Sequence, residues 1–95
     1  MSPADITVVK KSGKKTEFDR EKIIYAVQSA RHRLGKQFNE EELDDIIDNV
    51  LKRLAAEGNQ EVPVLDMHRH VEAALRDIDP ECADQYKRIA ITRST

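Results

Sequence analysis

Apolar residues recur along this chain with two periods, and the change of period divides it. Ile6-Thr7-Val8-Val9-Lys10 is β-branched and predicts a strand. Lys11-Ser12-Gly13-Lys14 supplies turn chemistry, with Gly13 free to take positive φ, and Lys15-Thr16-Glu17-Phe18 returns as a second short strand. Two strands are marginal alone in water, so this lysine-tipped hairpin must pack on something else. Beyond it the spacing becomes helical. Asp19 is placed to cap a first helix running to about Leu34, with Ile23, Val27, Ala30 and Leu34 on one face and Gly35 as a stop. Asn39 with Glu42 three residues on predicts a capping box. The second helix presents Leu43, Ile46, Ile47, Val50, Leu51 and Leu54 as an apolar stripe that Gly58 ends. A third helix follows Val62-Pro63, with Val64, Met67, Val71, Ala74, Leu75 and Ile78 on one side. Asp79-Pro80 opens a fourth that turns Ala83, Tyr86, Ile89 and Ala90 inward.

The expected architecture is mainly α (α+β): an N-terminal β-hairpin capping four helices, as a single domain over 1–95 with its core at about 6–93. With 95 residues there is no room for a second core, nor for a deep catalytic cleft beside the first. Charged residues reach 36% and aromatics 4%, which suits a small helical domain with well-solvated outer faces. The net charge of −2 conceals an asymmetry. Residues 1–38 carry nine Lys/Arg against four acids, and residues 39–95 carry seven against fourteen. A basic first segment on an acidic body points to a local anionic ligand, and on charge alone makes nucleic acid an unlikely partner. The single cysteine, Cys82, excludes an intramolecular disulfide and a cysteine-based zinc site. No apolar run approaches membrane-spanning length, and the N-terminus lacks a signal-peptide stretch, so a cytoplasmic protein without a membrane partner is expected.

Candidate chemistry is sparse. The run Lys10-Lys11-Ser12-Gly13-Lys14-Lys15 can offer ammonium groups to a polyphosphate, or can be a solvated turn whose charges protect open strand edges. Gly13-Lys14-Lys15-Thr16 is not a P-loop: Val8 stands where the first glycine belongs, and a strand rather than a helix follows. His68 and His70 are two apart and point to different helix faces, while His32 lies between Arg31 and Arg33, so no metal site is expected. His68 follows the core position Met67, a place where it can border a cavity or simply sit on the rim. The acids fall on solvent-facing runs, and no base or orienting group can be assigned to Cys82 as a nucleophile. No catalytic residue emerges, and the chain is expected not to be an enzyme.

The order of motifs is more informative than any one of them. Val8-Val9-Lys10-Lys11-Ser12-Gly13 followed by Phe18-Asp19-Arg20-Glu21-Lys22-Ile23 resembles the opening signature of the ATP-cone family. Val62-Pro63-Val64-Leu65-Asp66-Met67 with Val71-Glu72 and Leu75 resembles its third helix, and Ala83, Tyr86, Ile89 and Arg93 its closing one. The similarity covers residues 6 to 93. It implies ATP or dATP, with Mg²⁺, held as an allosteric ligand between hairpin and helices. Cones of this kind occur at the N-termini of ribonucleotide reductase subunits and in a bacterial repressor of reductase genes. Carried over by position, Val8, Lys10, Lys11, Gly13 and Lys22 line the nucleotide, with the lysines toward phosphate. Phe18, Asp19 and Ile23 surround the adenine, Val64 and His68 lie near the ribose, and Arg88 or Arg93 lies near the phosphates. The chain departs from the pattern at Lys11-Ser12, which keeps a charge but loses an arginine's bidentate fork, at Pro63-Val64, where a hydroxyl residue is usual, and at Ile89.

Three functions compete on this basis. The first is a nucleotide-sensing regulatory domain controlling the activity or oligomerisation of a ribonucleotide reductase, with a reductase subunit or a second copy of the cone as partner. The second is a cone acting as a nucleic-acid or protein interaction module in transcriptional regulation. The third is an interaction domain that has lost its ligand. The chain is expected to be either a free-standing cone or a piece of a longer protein.

Overall fold

The computed structural model describes residues 6–58 and 60–93, with side chains as far as Ala90. The remaining positions of the expected 1–95 unit lie outside the described residues. Strands β1 (Thr7–Val9) and β2 (Lys15–Glu17) form the hairpin, and α1 (Arg20–His32) and α2 (Glu40–Glu57) follow. Then come a third strand, β3 (Glu61–Pro63), and the helices α3 (Val64–Ile78) and α4 (Pro80–Arg93). The sheet order is β2-β1-β3, with β1 antiparallel to β2 and parallel to β3.

The hairpin turn closes through Gly13 N–H on the Lys10 carbonyl and Lys10 N–H on the Lys14 carbonyl, both 2.8 Å, with Gly13 at φ 89°. That φ is the reason a glycine sits there. Asp19 caps α1, its Oδ1 accepting from the Glu21 and Lys22 amides at 3.0 and 3.4 Å. The capping box of α2 is complete: Asn39 Oδ1 accepts from Glu42 N–H at 2.8 Å, and Glu42 Oε1 accepts from Asn39 N–H at 3.1 Å. Gly58 ends that helix in the left-handed region at φ 71°. Asp79 caps α4 through the Cys82 amide at 3.3 Å.

Two expectations need correction. The first helix stops at His32 rather than near Leu34, because the amides of Leu34 and Gly35 close tight turns on the Arg31 and His32 carbonyls. Ile78 is 40% exposed, since it sits in the last turn of α3, where the chain leaves for α4. β3 was not foreseen. Its Val62 is 2% exposed and pairs with Val8, a contact between residues 54 positions apart that short-range patterning cannot reveal.

The core gathers Val27 and Ala30 from α1, Ile46, Val50 and Leu54 from α2, Met67, Val71, Ala74 and Leu75 from α3, and Cys82, Ala83, Tyr86, Ile89 and Ala90 from α4. Ile6, Phe18 and Val62 carry it under the sheet. The α1–α2 connection is fixed by Gln28, whose amide both donates to the Phe38 carbonyl and accepts from its N–H at 3.0 Å. Arg31 lies over the Phe38 ring, 4.6 Å from its centroid, and forms an ion pair with Asp79 at the α3–α4 corner. The Arg31–Asp79 pair ties the last turn of α1 to the start of α4.

Candidate functional site

The strand pairing brings the site together. β1 and β3 run parallel, so Val9 lies opposite Pro63, and the carboxyl end of β1 with Lys10 stands beside the first turn of α3. Along β1, Ile6, Val8 and Lys10 share one face by the two-residue repeat. Their exposure rises from buried through half-buried to exposed, so this face runs from core to rim. Thr16 on β2 pairs with Val8. Phe18 then enters α1 and returns the chain under the sheet.

The resulting cleft is lined by Val8, Lys10, Thr16 and Glu17 from the sheet, Phe18, Asp19, Lys22, Ile23 and Ala26 from the entry to α1, and Val64, Met67 and His68 from α3, with Tyr86 from α4. Its volume is about 180 Å³. That is below the roughly 300–1,000 Å³ of pockets that engulf a drug-sized ligand. It is a slot for one ring system, with the rest of the ligand extending over the rim. The inner wall is apolar: Phe18, Ile23, Ala26, Val64 and Met67. The rim carries two ammonium groups, Lys10 and Lys22, both exposed. Its fields favour an anion twice over, because Lys22 lies in the first turn of α1, where the helix dipole is positive. The first turn of α3 has no side-chain cap, so its leading amides keep their donor capacity beside Val64. Glu17 and Asp19 are the opposing charges on the lining, and the Asp19 carboxylate already accepts from the first amides of α1.

His68 and Tyr86 form the polar end of the inner wall. His68 Nδ1 lies 3.1 Å from the Tyr86 hydroxyl, with the rings edge to face at 6.1 Å. Burial lowers the His68 pKa from its ordinary 6.5, favouring neutral imidazole. Burial, and secondarily the charge of Glu72, raises that of Tyr86, so its phenol keeps its proton. Burial raises the Cys82 pKa as well, partly offset by Arg31, and the thiol is buried under α1.

Eight sequence-derived candidates meet here: Val8, Lys10, Phe18, Asp19, Lys22, Ile23, Val64 and His68. Lys11 and Gly13 do not line the cleft; both belong to the tight turn beyond the end of β1. Arg88 is exposed, two residues past the inward Tyr86 and so on the far side of α4. The Arg93 side chain lies outside the described residues. Lys15 faces away from the cleft's charge, paired with Glu61 at 2.6 Å across the sheet. Sequence reasoning missed Thr16, Glu17, Ala26, Met67 and Tyr86 as lining. The available signal was spacing, since Ala26 stands one turn after Lys22 and Ile23, and Met67 one turn after Val64. Among the described residues no group of His, Cys, Asp and Glu can hold a metal, and no helix is long and apolar enough to cross a membrane.

The cleft is an apolar slot open at a rim that carries Lys10 and Lys22, a shape suited to a small ligand. The ATP cone domain matches residues 6–93, and the chain belongs to that family of nucleotide-sensing domains. It is similar to the transcriptional repressor NrdR of Mesorhizobium japonicum, 33% identical over 75 residues that cover 79% of this chain and 46% of that protein. The corresponding repressor of Fervidobacterium nodosum is 32% identical over 74 residues, covering 78% and 47%. That of a Caulobacter species is 25% identical over 85 residues, covering 90% and 53%. The chain spans about half the length of these curated relatives. They are regulators, not enzymes, in keeping with the absence of catalytic residues from the sequence reading. They also overturn the expectation that nucleic acid is an unlikely partner, because all three are named transcriptional repressors. Net charge misled there: it sums the residues of this chain, which match only about half of each of those repressors.

Proposed function

We propose that this cone weighs ATP against dATP on behalf of a transcriptional regulator, with the hairpin–α1–α3 cleft as the nucleotide site. The carrying observation is the opening of an apolar, ring-sized slot directly onto Lys10 and Lys22. The slot takes the adenine, and the triphosphate runs outward over the lysines and the first turn of α1. Mg²⁺ travels with the phosphates and keeps their oxygens as its ligands, since the described side chains offer no cage for it. The relatives favour transcriptional control over direct control of a reductase subunit. Residues 6–93 act as the binding unit.

ATP and dATP differ by one ribose hydroxyl, and a protein group left unpaired when it is missing costs about 1–3 kcal/mol. The ligand can shift assembly only by the difference in its affinity for the two assembled states. Titration calorimetry with ATP, dATP and GTP tests the site. Lys10→Ala and Lys22→Ala are each expected to weaken ATP about five- to tenfold, the effect of losing roughly 1 kcal/mol of charge-assisted contact at an exposed rim. Unaltered affinity in both variants removes the phosphate assignment.

A further inference from the structure

The His68–Tyr86 contact has a directional consequence. Tyr86 is 3% exposed, and a buried phenol needs an acceptor for its hydrogen. Among the described residues, the acceptor within reach of that hydroxyl is His68 Nδ1 at 3.1 Å. The Tyr86 O–H therefore donates, and Nδ1 accepts with its lone pair. A neutral imidazole has one proton, so it resides on Nε2. The hydrogen-bond network thus assigns the Nε2–H tautomer, and the edge-to-face packing of the two rings resists rotation about χ2. His68 comes from α3 and Tyr86 from α4, and both line the cleft beside Val64 and Met67.

We infer that Tyr86 is a positioning residue for ligand binding, its hydroxyl holding His68 in the tautomer that offers an N–H donor to an acceptor atom of the bound nucleotide. This rests on the nucleotide reading of the cleft. Tyr86 makes the imidazole a donor of fixed sense, where a free histidine would interconvert between donor and acceptor at that nitrogen. The phenol pays for its own burial by the same bond, which explains a tyrosine at a position otherwise suited to phenylalanine.

The test has two arms. In the ligand-free chain labelled with ¹⁵N-histidine, long-range ¹H–¹⁵N correlation reads the tautomer of each ring. His68 is expected as Nε2–H at pH 7.5, and an Nδ1–H or freely mixed His68 overturns the inference without any variant. In the second arm, Tyr86→Phe keeps the ring and removes the donor. The His68 signals should move to a tautomer mixture, and ATP affinity by calorimetry should fall about fivefold, with the circular dichroism unchanged. Introducing Tyr86→Phe into a His68→Gln background, where the amide needs no tautomer setting, should cost at most a further twofold. Equal losses in both backgrounds, or a Tyr86→Phe variant that binds ATP like the parent, overturn the positioning role alone. A parent chain that gives no binding with ATP overturns the nucleotide reading, and this inference with it.

Discussion

His68 is half-buried at the end of an apolar wall, and its protonation must be opposed by the fold. Its folded pKa lies below 6.5 because burial penalises the imidazolium. The unfolded chain therefore takes up this proton at higher pH than the folded one does. Stability contributed by neutral His68 is fully present above about pH 6.5 and is lost as pH falls toward the folded pKa. Differential scanning calorimetry should show the parent losing more melting temperature between about pH 7 and pH 5 than His68→Gln, which has nothing to titrate there. Parallel curves for the two proteins would place the acid sensitivity elsewhere. Cys82 allows a second test at this scale. A buried thiol with a raised pKa is a poor nucleophile, so labelling by a thiol reagent at pH 7.5 should be slower in the native protein than in urea by orders of magnitude. Prompt native labelling would mean that α4 opens locally away from α1.

Among the elements, α2 separates stability from binding. None of its residues lines the cleft, and its start depends on the reciprocal Asn39–Glu42 bonds. Asn39→Ala should cost about 1 kcal/mol, a fall in melting temperature of roughly 4–8 °C for a domain of this size, with ATP affinity unchanged. A variant that weakens binding as much as Lys22→Ala would tie α2 to the site after all. The same helix shows what the sequence makes legible. Capping box, apolar stripe and terminal glycine are all local, so α2 could be drawn residue by residue. β3 could not, because three residues without alternation gain a strand's identity only from β1, more than fifty positions earlier. The site divides along the same line. Val8, Lys10, Phe18, Asp19, Lys22 and Ile23 lie within sixteen residues and were found by motif order. Tyr86 was assigned to the core, because its hydroxyl takes on a role only once α3 is seen to place His68 against it. Lys11 and Arg88 were carried over by position from the family resemblance, and position alone does not say which way a side chain faces: neither lines the cleft.

For the whole molecule, the cleft joins a thin cap to a thick body. Each strand is three residues long, and the hairpin residues from Lys10 to Lys15 are exposed, whereas α3 and α4 bury much of one face. Local opening is cheapest where few apolar contacts are lost, so the hairpin should open before the helical layer does. A ligand seated between cap and body binds the closed form and suppresses every opening that releases it, the hairpin's included. Native-state hydrogen exchange with saturating ATP and Mg²⁺ is therefore expected to slow the amides of Thr7, Lys10 and Phe18 as much as those of Val50 and Leu54, although the hairpin opens without the rest of the fold. The first three donate across the sheet or its turn, and the last two lie within α2. Slowing at Val50 and Leu54 with the hairpin amides unchanged would mean that the nucleotide stays bound when the hairpin opens, and so does not sit under it. Preferential slowing at the far ends of α1 and α2 would move the site off the cleft. If dATP protects the hairpin to a different degree from ATP, the cap is the element through which one missing hydroxyl changes the surface offered to a partner. Sedimentation velocity on the same samples then shows whether that change alters assembly, and one species common to both nucleotides would exclude a switch built on self-association.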